Sequence, residues 1–141
     1  MKPLVTFPDP EALVAGYLIS AFAPRSEPYK PGTITVSFPS TALTGNASHV
    51  QAELEVGGVA DYPVTERAQV RVTCYAAPGK RSNVKALASL AQGLLSVYSD
   101  ADVANVTPLV GRSDVITDPT TKNLMVWFTV RVDLKATVLA S

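Results

Sequence analysis

A glycine-lysine pair, Gly79-Lys80, joins an apolar-alternating stretch to a helical one in "VTCYAAPGKRSNVKALASL", Val72 to Leu90. Strand, Gly-Lys turn and helix is the layout that cradles phosphates, with backbone amides wrapped around the anion and a hydroxyl on Mg²⁺. That chemistry needs the pattern G-x-x-x-x-G-K-[ST]. Here Cys74 replaces the first glycine and Arg81 the closing hydroxyl. A side chain at the first position blocks the close backbone approach, and a guanidinium cannot hold the metal. The loop "AAPGKR" also offers few free amides. The residues read instead as a strand-to-helix turn, in which Pro78 and Gly79 reverse the chain, Lys80 and Arg81 are solvated, and Ser82 or Asn83 caps the helix.

Other reactive residues are as sparse. A nucleophilic triad has only His49 as its base, and His49 sits in a polar stretch beside Ser48, where an exposed histidine without a task is expected. Cys74 falls on the apolar side of an alternating strand with no basic neighbour to stabilise a thiolate. One histidine and one cysteine give no metal-ligand spacing. Glu53 and Glu55 share one strand face, where paired acids are usually solvated. The sequons at Asn46 and Asn105 matter only in a secreted eukaryotic protein. The expectation is no catalytic residue, no cofactor, no metal and no enzyme.

Composition points the same way. A chain of 141 residues suits one domain, spanning 1–141, able to bury roughly 68% of its unfolded surface. Twelve basic and 12 acidic residues balance to zero net charge, so whole-chain attraction to phosphate backbones is missing. Charged residues make up only 17%, which leaves surface available to partners. The single cysteine rules out an internal disulfide and suits a reducing compartment, the cytoplasm by default. The uncharged run Ala12 to Ala23 is shorter than the ~20 residues that span a bilayer. It also lacks a signal peptide's basic start, since Asp9 and Glu11 precede it and Pro24 follows "AFA".

The elements follow from periodicity. Asp9 as N-cap, Pro10 at the first helical position and Glu11 beside them predict a helix over about Pro10 to Phe22, with Leu13, Val14, Tyr17, Leu18 and Ala21 on one stripe. "TITVSFP" predicts a short strand at an edge or an end of the sheet, with Ile34, Val36 and Phe38 alternating with Thr35 and Ser37 and Pro39 ending it. After the polar loop "STALTGNASH", "VQAELEV" reads as a strand broken by Gly57 and Gly58. Beyond "VADYP", Ala68 to Ala76 alternate as a better strand, with Cys74 inward. From Ser82 a helix carries Val84, Leu87, Ala88, Ala91, Leu94, Leu95 and Tyr98 on one stripe. "VANVTPLVG" is a weaker strand, "DVITDPTTKNL" is turn-rich, and "MVWFTVRVDLKA" closes with Val126, Phe128, Val130, Val132 and Leu134 inward.

Helix, three strands, helix and two strands, joined by short loops, imply an α+β fold with both helices on one face of a mostly antiparallel sheet. The other face would carry Gln51, Glu53, Glu55, Gln69, Arg71, Tyr75, Trp127 and Arg131. Because Tyr, Trp and Arg are enriched at interfaces, that face is a candidate contact surface. The loops "STALTGNASH" and "DVITDPTTKNL" are further candidates, since long loops on a rigid sheet carry contacts.

The whole layout resembles the tail terminator proteins of long-tailed phages with flexible tails, in the form found in phages of actinobacteria. The resemblance rests on "PLVTFPDPEALVAGYL" (Pro3 to Leu18), on "EVGG" with "VTERAQVRVTCYA" (Val64 to Ala76), on "ALASLAQGLLSV", and on "DPTTKNLMVWFTVRVDL". In one departure, "STALTGNASHVQAELEV" is less basic than the arginine-rich stretch expected there. The resemblance implies a structural virion protein of the tail and neck, assembled in the host cytoplasm as a homo-oligomeric, hexameric ring at the head-proximal end of the tail tube. Such a ring stops tube elongation and joins tail to head. Its implied partners are the tail tube protein and a head-completion or connector protein, with DNA passing through the lumen without sequence-specific binding and no membrane contact. The alternative is a neighbouring neck protein, a head-completion or stopper subunit.

Overall fold

The computed structural model describes residues 4–61 and 65–138. In chain order the elements are β1 (Val5–Thr6), α1 (Pro10–Phe22), β2 (Thr33–Thr35), β3 (Ser48–Asp61), β4 (Thr65–Ala76), α2 (Arg81–Ser96), β5 (Val103–Val110), β6 (Ile116–Thr117), β7 (Leu124–Lys135) and β8 (Thr137–Val138). One sheet runs in the order β2-β3-β4-β7-β5, with β6 also on β7, while β1 and β8 form a separate small ladder. Every pairing is antiparallel except β2 with β3. The fold is α+β, with a mostly antiparallel sheet.

Helix α1 starts and ends where its sequence predicts, because the Asp9 carboxylate accepts the Glu11 N–H at 3.0 Å and Pro10 presets the first turn. It buries Val14, Ala15, Leu18 and Phe22. Helix α2 buries Val84, Leu87, Ala88, Ala91 and Leu95. Both stripes lie on the sheet face made by Val50, Val70, Val72, Cys74, Val126, Phe128, Val130, Val132 and Leu134. Each large side chain buried this way contributes about 1.5–3 kcal/mol, so this layer dominates the stability. The helices also clasp each other: Tyr17 stacks on Tyr98 at 4.0 Å, and the Tyr17 hydroxyl donates to Leu94 O at 2.6 Å.

Three sequence expectations need correcting. Strand β2 stops at Thr35, so Val36 and Phe38 lie beyond it, 51% and 65% exposed. Strand β2 runs parallel to β3, so the chain must return the length of the pair before β3 can begin, and residues 36–47 make that return across the outer sheet face. Gly57 and Gly58 do not end β3: the ladder with β4 absorbs irregularities between Leu54 and Val59 and continues to Asp61. Of the connection read at Val59 to Pro63, Tyr62 and Pro63 lie outside the described residues. Finally, α2 begins at Arg81 with Lys80 at the cap position, and neither Ser82 nor Asn83 caps it.

Candidate interaction surface

Strand direction gathers three connections at one end of the sheet. Strand β3 starts there, β4 and β5 finish there, and α2 and β7 start there, so residues 36–47, 77–80 and 111–123 become neighbours. Side chains tie each connection to the others. Asn123, fully buried, accepts the Leu43 N–H at 2.8 Å and donates to Thr41 O at 3.1 Å. Asn83 of α2 donates to Asn46 at 3.4 Å, and Arg81 meets Asp114 at 3.3 Å. The two loops singled out by sequence thus touch each other and the Gly-Lys turn, which sequence alone could not relate.

Each connection is also braced internally. In the 77–80 turn, Gly79 takes φ +81°, a conformation that strains any residue with a Cβ, and Lys80 N–H donates to Ala77 O. In the 111–123 connection, Asp118 caps the turn by accepting the Thr120 N–H at 2.9 Å, and its own N–H donates to Asn123 O. The Thr120 N–H holds the Asp118 carboxyl below its ordinary range. Asp114 is lowered too, first by the Val115 N–H and then by the Arg81 guanidinium. Ser113 and Trp127 exchange hydrogen bonds, N–H to carbonyl at 2.8 Å and N–H to hydroxyl at 3.1 Å, which fastens the connection to β7.

His49, expected exposed in a loop, is 5% exposed and lies on β3, facing the outer side of the sheet. Its Nε2 contacts Ser37 O at 2.7 Å, and since a carbonyl only accepts, Nε2 carries the hydrogen. Nδ1 then accepts from the Thr33 hydroxyl. Both ring nitrogens are thus engaged, Nδ1 with β2 and Nε2 with the returning segment that lies on the sheet. Beside it, Tyr75 donates to Gln51 at 2.9 Å, and Gln51 donates to Glu53 at 3.1 Å. Burial, with Asp118 and Glu53 nearby, pushes the Tyr75 hydroxyl up to about 12.

The outer face is therefore divided. Near the loop end, His49, Gln51, Thr73 and Tyr75 are buried under the chain's own residues 36–47 and 111–123, which takes Gln51 and Tyr75 out of the expected contact face. Farther along, charges are paired within the face. Glu55 accepts the Thr129 hydroxyl at 2.9 Å and lies 3.4 Å from Arg71 Nε, an ion-pair contact without hydrogen-bond alignment. The Arg71 guanidinium covers the Trp127 ring at 5.4 Å, and Arg131 pairs with Asp133 at 3.2 Å. Thr129 is buried beneath this layer.

Cys74 is fully buried, and desolvation pushes its thiol up to about 12, so it offers no thiolate near neutral pH. Lys80 is half-buried at the start of α2, and Arg81 and Lys85 are exposed beside it, with no acidic residue in the helix's first turn. Among the described residues, no group of three His, Cys, Asp or Glu side chains is placed to hold a metal ion. No helix among them is long and apolar enough to cross a membrane.

What the architecture defines is a two-layer α+β domain whose outer face is closed at one end by its own connections. No protein-family model matches the chain, and no curated protein matches it in sequence.

Proposed function

We propose that the chain is the subunit of a tail terminator: a hexameric ring at the head-proximal end of a phage tail tube that stops tube growth and presents a docking surface to a head-completion or connector protein. The observation that carries this reading is the braced cluster of three connections at one end of a rigid sheet. Such a cluster presents a fixed, shaped surface to a protein partner. The resemblance of segments from Pro3 to the β7 strand supplies the identity of that partner. Polar side chains that could have served chemistry are instead spent on shape, His49 and Asn123 above all. A neutral chain with an ion-paired outer face also suits a channel wall past which DNA slides without being gripped.

The test is deletion of the gene in its phage. Tails of uncontrolled length that fail to join heads are the expected result. Tails of normal length that join heads normally would discard the reading. Tails of normal length that fail to join heads would move the protein to the neighbouring neck position.

A further inference from the structure

One row of α2 stays in solvent: Arg81, Lys85, Ser89 and Gly93, each four residues from the next, with Ser82 and Ser96 exposed beside it. This face carries no acid and no large apolar side chain. Across both helices the single acidic residue is Glu11, whose carboxylate already accepts the Leu54 N–H at 2.6 Å. The chain has 12 acidic residues, so their segregation away from the helices gives a neutral molecule a positive surface. Asp114 pairs with Arg81 at 3.3 Å, while Asp100 and Asp102 lie beyond the end of α2. Lys85 makes no ion pair among the described residues.

A further cation joins the row from outside the helix. Arg112 donates to the Gln92 side chain at 2.5 Å, and with the Arg81–Asp114 contact this lays residues 112–114 along α2. Arg81 and Gln92 stand about 16 Å apart along the helix axis. Three cationic groups are therefore strung along one line, with serine hydroxyls between them. Gly93 has open space where a Cβ would stand, so no packing contact requires it, although glycine in a helix interior costs about 1 kcal/mol relative to alanine. Its effect is to keep the face flat, open to close approach by another chain.

We propose that this face of α2, with Arg112 beside it, binds the phosphate backbone of duplex DNA without reading its sequence. Phosphates are held by Arg, Lys and Ser donors, which is the set present here. An acidic protein partner would need apolar or aromatic anchors at the centre of the contact, and the row has none. A single strand needs exposed aromatic rings to stack its bases, and an anionic membrane needs Trp, Phe or Leu to insert. The row offers neither. The contact stands on the composition of the α2 face and does not depend on the ring reading.

The test titrates the purified full chain into a fluorescently labelled duplex of mixed sequence and follows anisotropy at low salt. Binding should weaken with added salt along a log–log slope of about −3, since each neutralised phosphate contributes about 0.9. Lys85→Gln and Arg112→Gln should each make that slope shallower by about 1, on every sequence tried. Ser89→Glu, which sets a carboxylate in the middle of the row, should lower affinity about tenfold. Arg67→Gln removes the same charge from an exposed site at the start of β4, near the other end of the sheet, and should leave the slope unchanged. Far-UV circular dichroism checks that each variant keeps its fold. No binding at low salt, binding indifferent to salt, or an effect of Arg67→Gln equal to that of Lys85→Gln would overturn the proposal. Poly-glutamate displacing the label as well as unlabelled duplex does would also overturn it, in favour of an acidic protein partner. If the duplex is ignored while deletion of the gene still lengthens tails, the phosphate contact fails and the terminator reading stands. Duplex binding together with normal tails keeps the contact and discards the terminator reading.

Discussion

Asn123, at the entry to β7, holds Leu43 across the sheet end: its side-chain oxygen accepts the Leu43 N–H at 2.8 Å while its amide nitrogen donates to Thr41 O. One buried amide thus serves both hydrogen-bonding groups of a segment that has no ladder of its own. This side chain ties the two connections to each other.

Asn123→Ala should therefore leave the part-buried Leu43 N–H and the Thr41 carbonyl without their partner, at a cost of about 1–3 kcal/mol in total. Urea denaturation followed by the emission of the single Trp127 would measure it. An unchanged midpoint would show that water replaces the amide and that the bracing is dispensable.

His49→Ala removes the link between β3 and Ser37 O. Amide hydrogen exchange over residues 36–43 should accelerate strongly, while the amides of β4 and β7 keep their protection. Equal acceleration in the central strands would mean that the ring supports the sheet itself rather than the segment lying on it.

Leu87→Ala opens a cavity in the best-formed helix, where Leu87 is fully buried against the sheet. The expected loss is about 2–5 kcal/mol. By contrast, Arg71→Ala removes a part-exposed guanidinium from Trp127 and Glu55, a change worth about 0.5–1 kcal/mol. It should shift Trp127 emission while barely moving the unfolding midpoint, and a loss as large as that of Leu87→Ala would contradict the assignment.

Stability should fall at both ends of the pH range. Asp114 and Asp118 are depressed in the folded state, so what they contribute is present above the ordinary carboxylate value of about 3.9 and is lost as pH falls through their folded values. Tyr75 is raised from 10.0 to about 12, so the unfolded chain releases its proton first and stability declines as pH rises across that interval. Urea midpoints measured against pH would reveal both slopes. Asp118→Asn should flatten the acid one, and Tyr75→Phe the alkaline one.

Most of the fold was legible because local patterns and tertiary packing agree. The Asp9 cap, the α2 stripe and the inward set of β7 are consequences of burying one face of each element, and period alone exposes them. Residues 33–38 misled because alternation of Ile34, Val36 and Phe38 is compatible with a longer strand, whereas the parallel pairing to β3 holds only three residues before the chain turns back.

Sequence by itself determined which side chains of the two helices and of β4 and β7 face the core, that the sheet would be covered on one face by two helices, and that the Gly-Lys turn lacks the groups a phosphate needs. Only the tertiary structure decided that His49 is buried rather than free and that Asn123 joins two distant loops. These depend on strand order and on the path of the 36–47 return, which bring together residues as far apart as Leu43 and Asn123. Periodicity reports which way a side chain points; what it points at is set by topology.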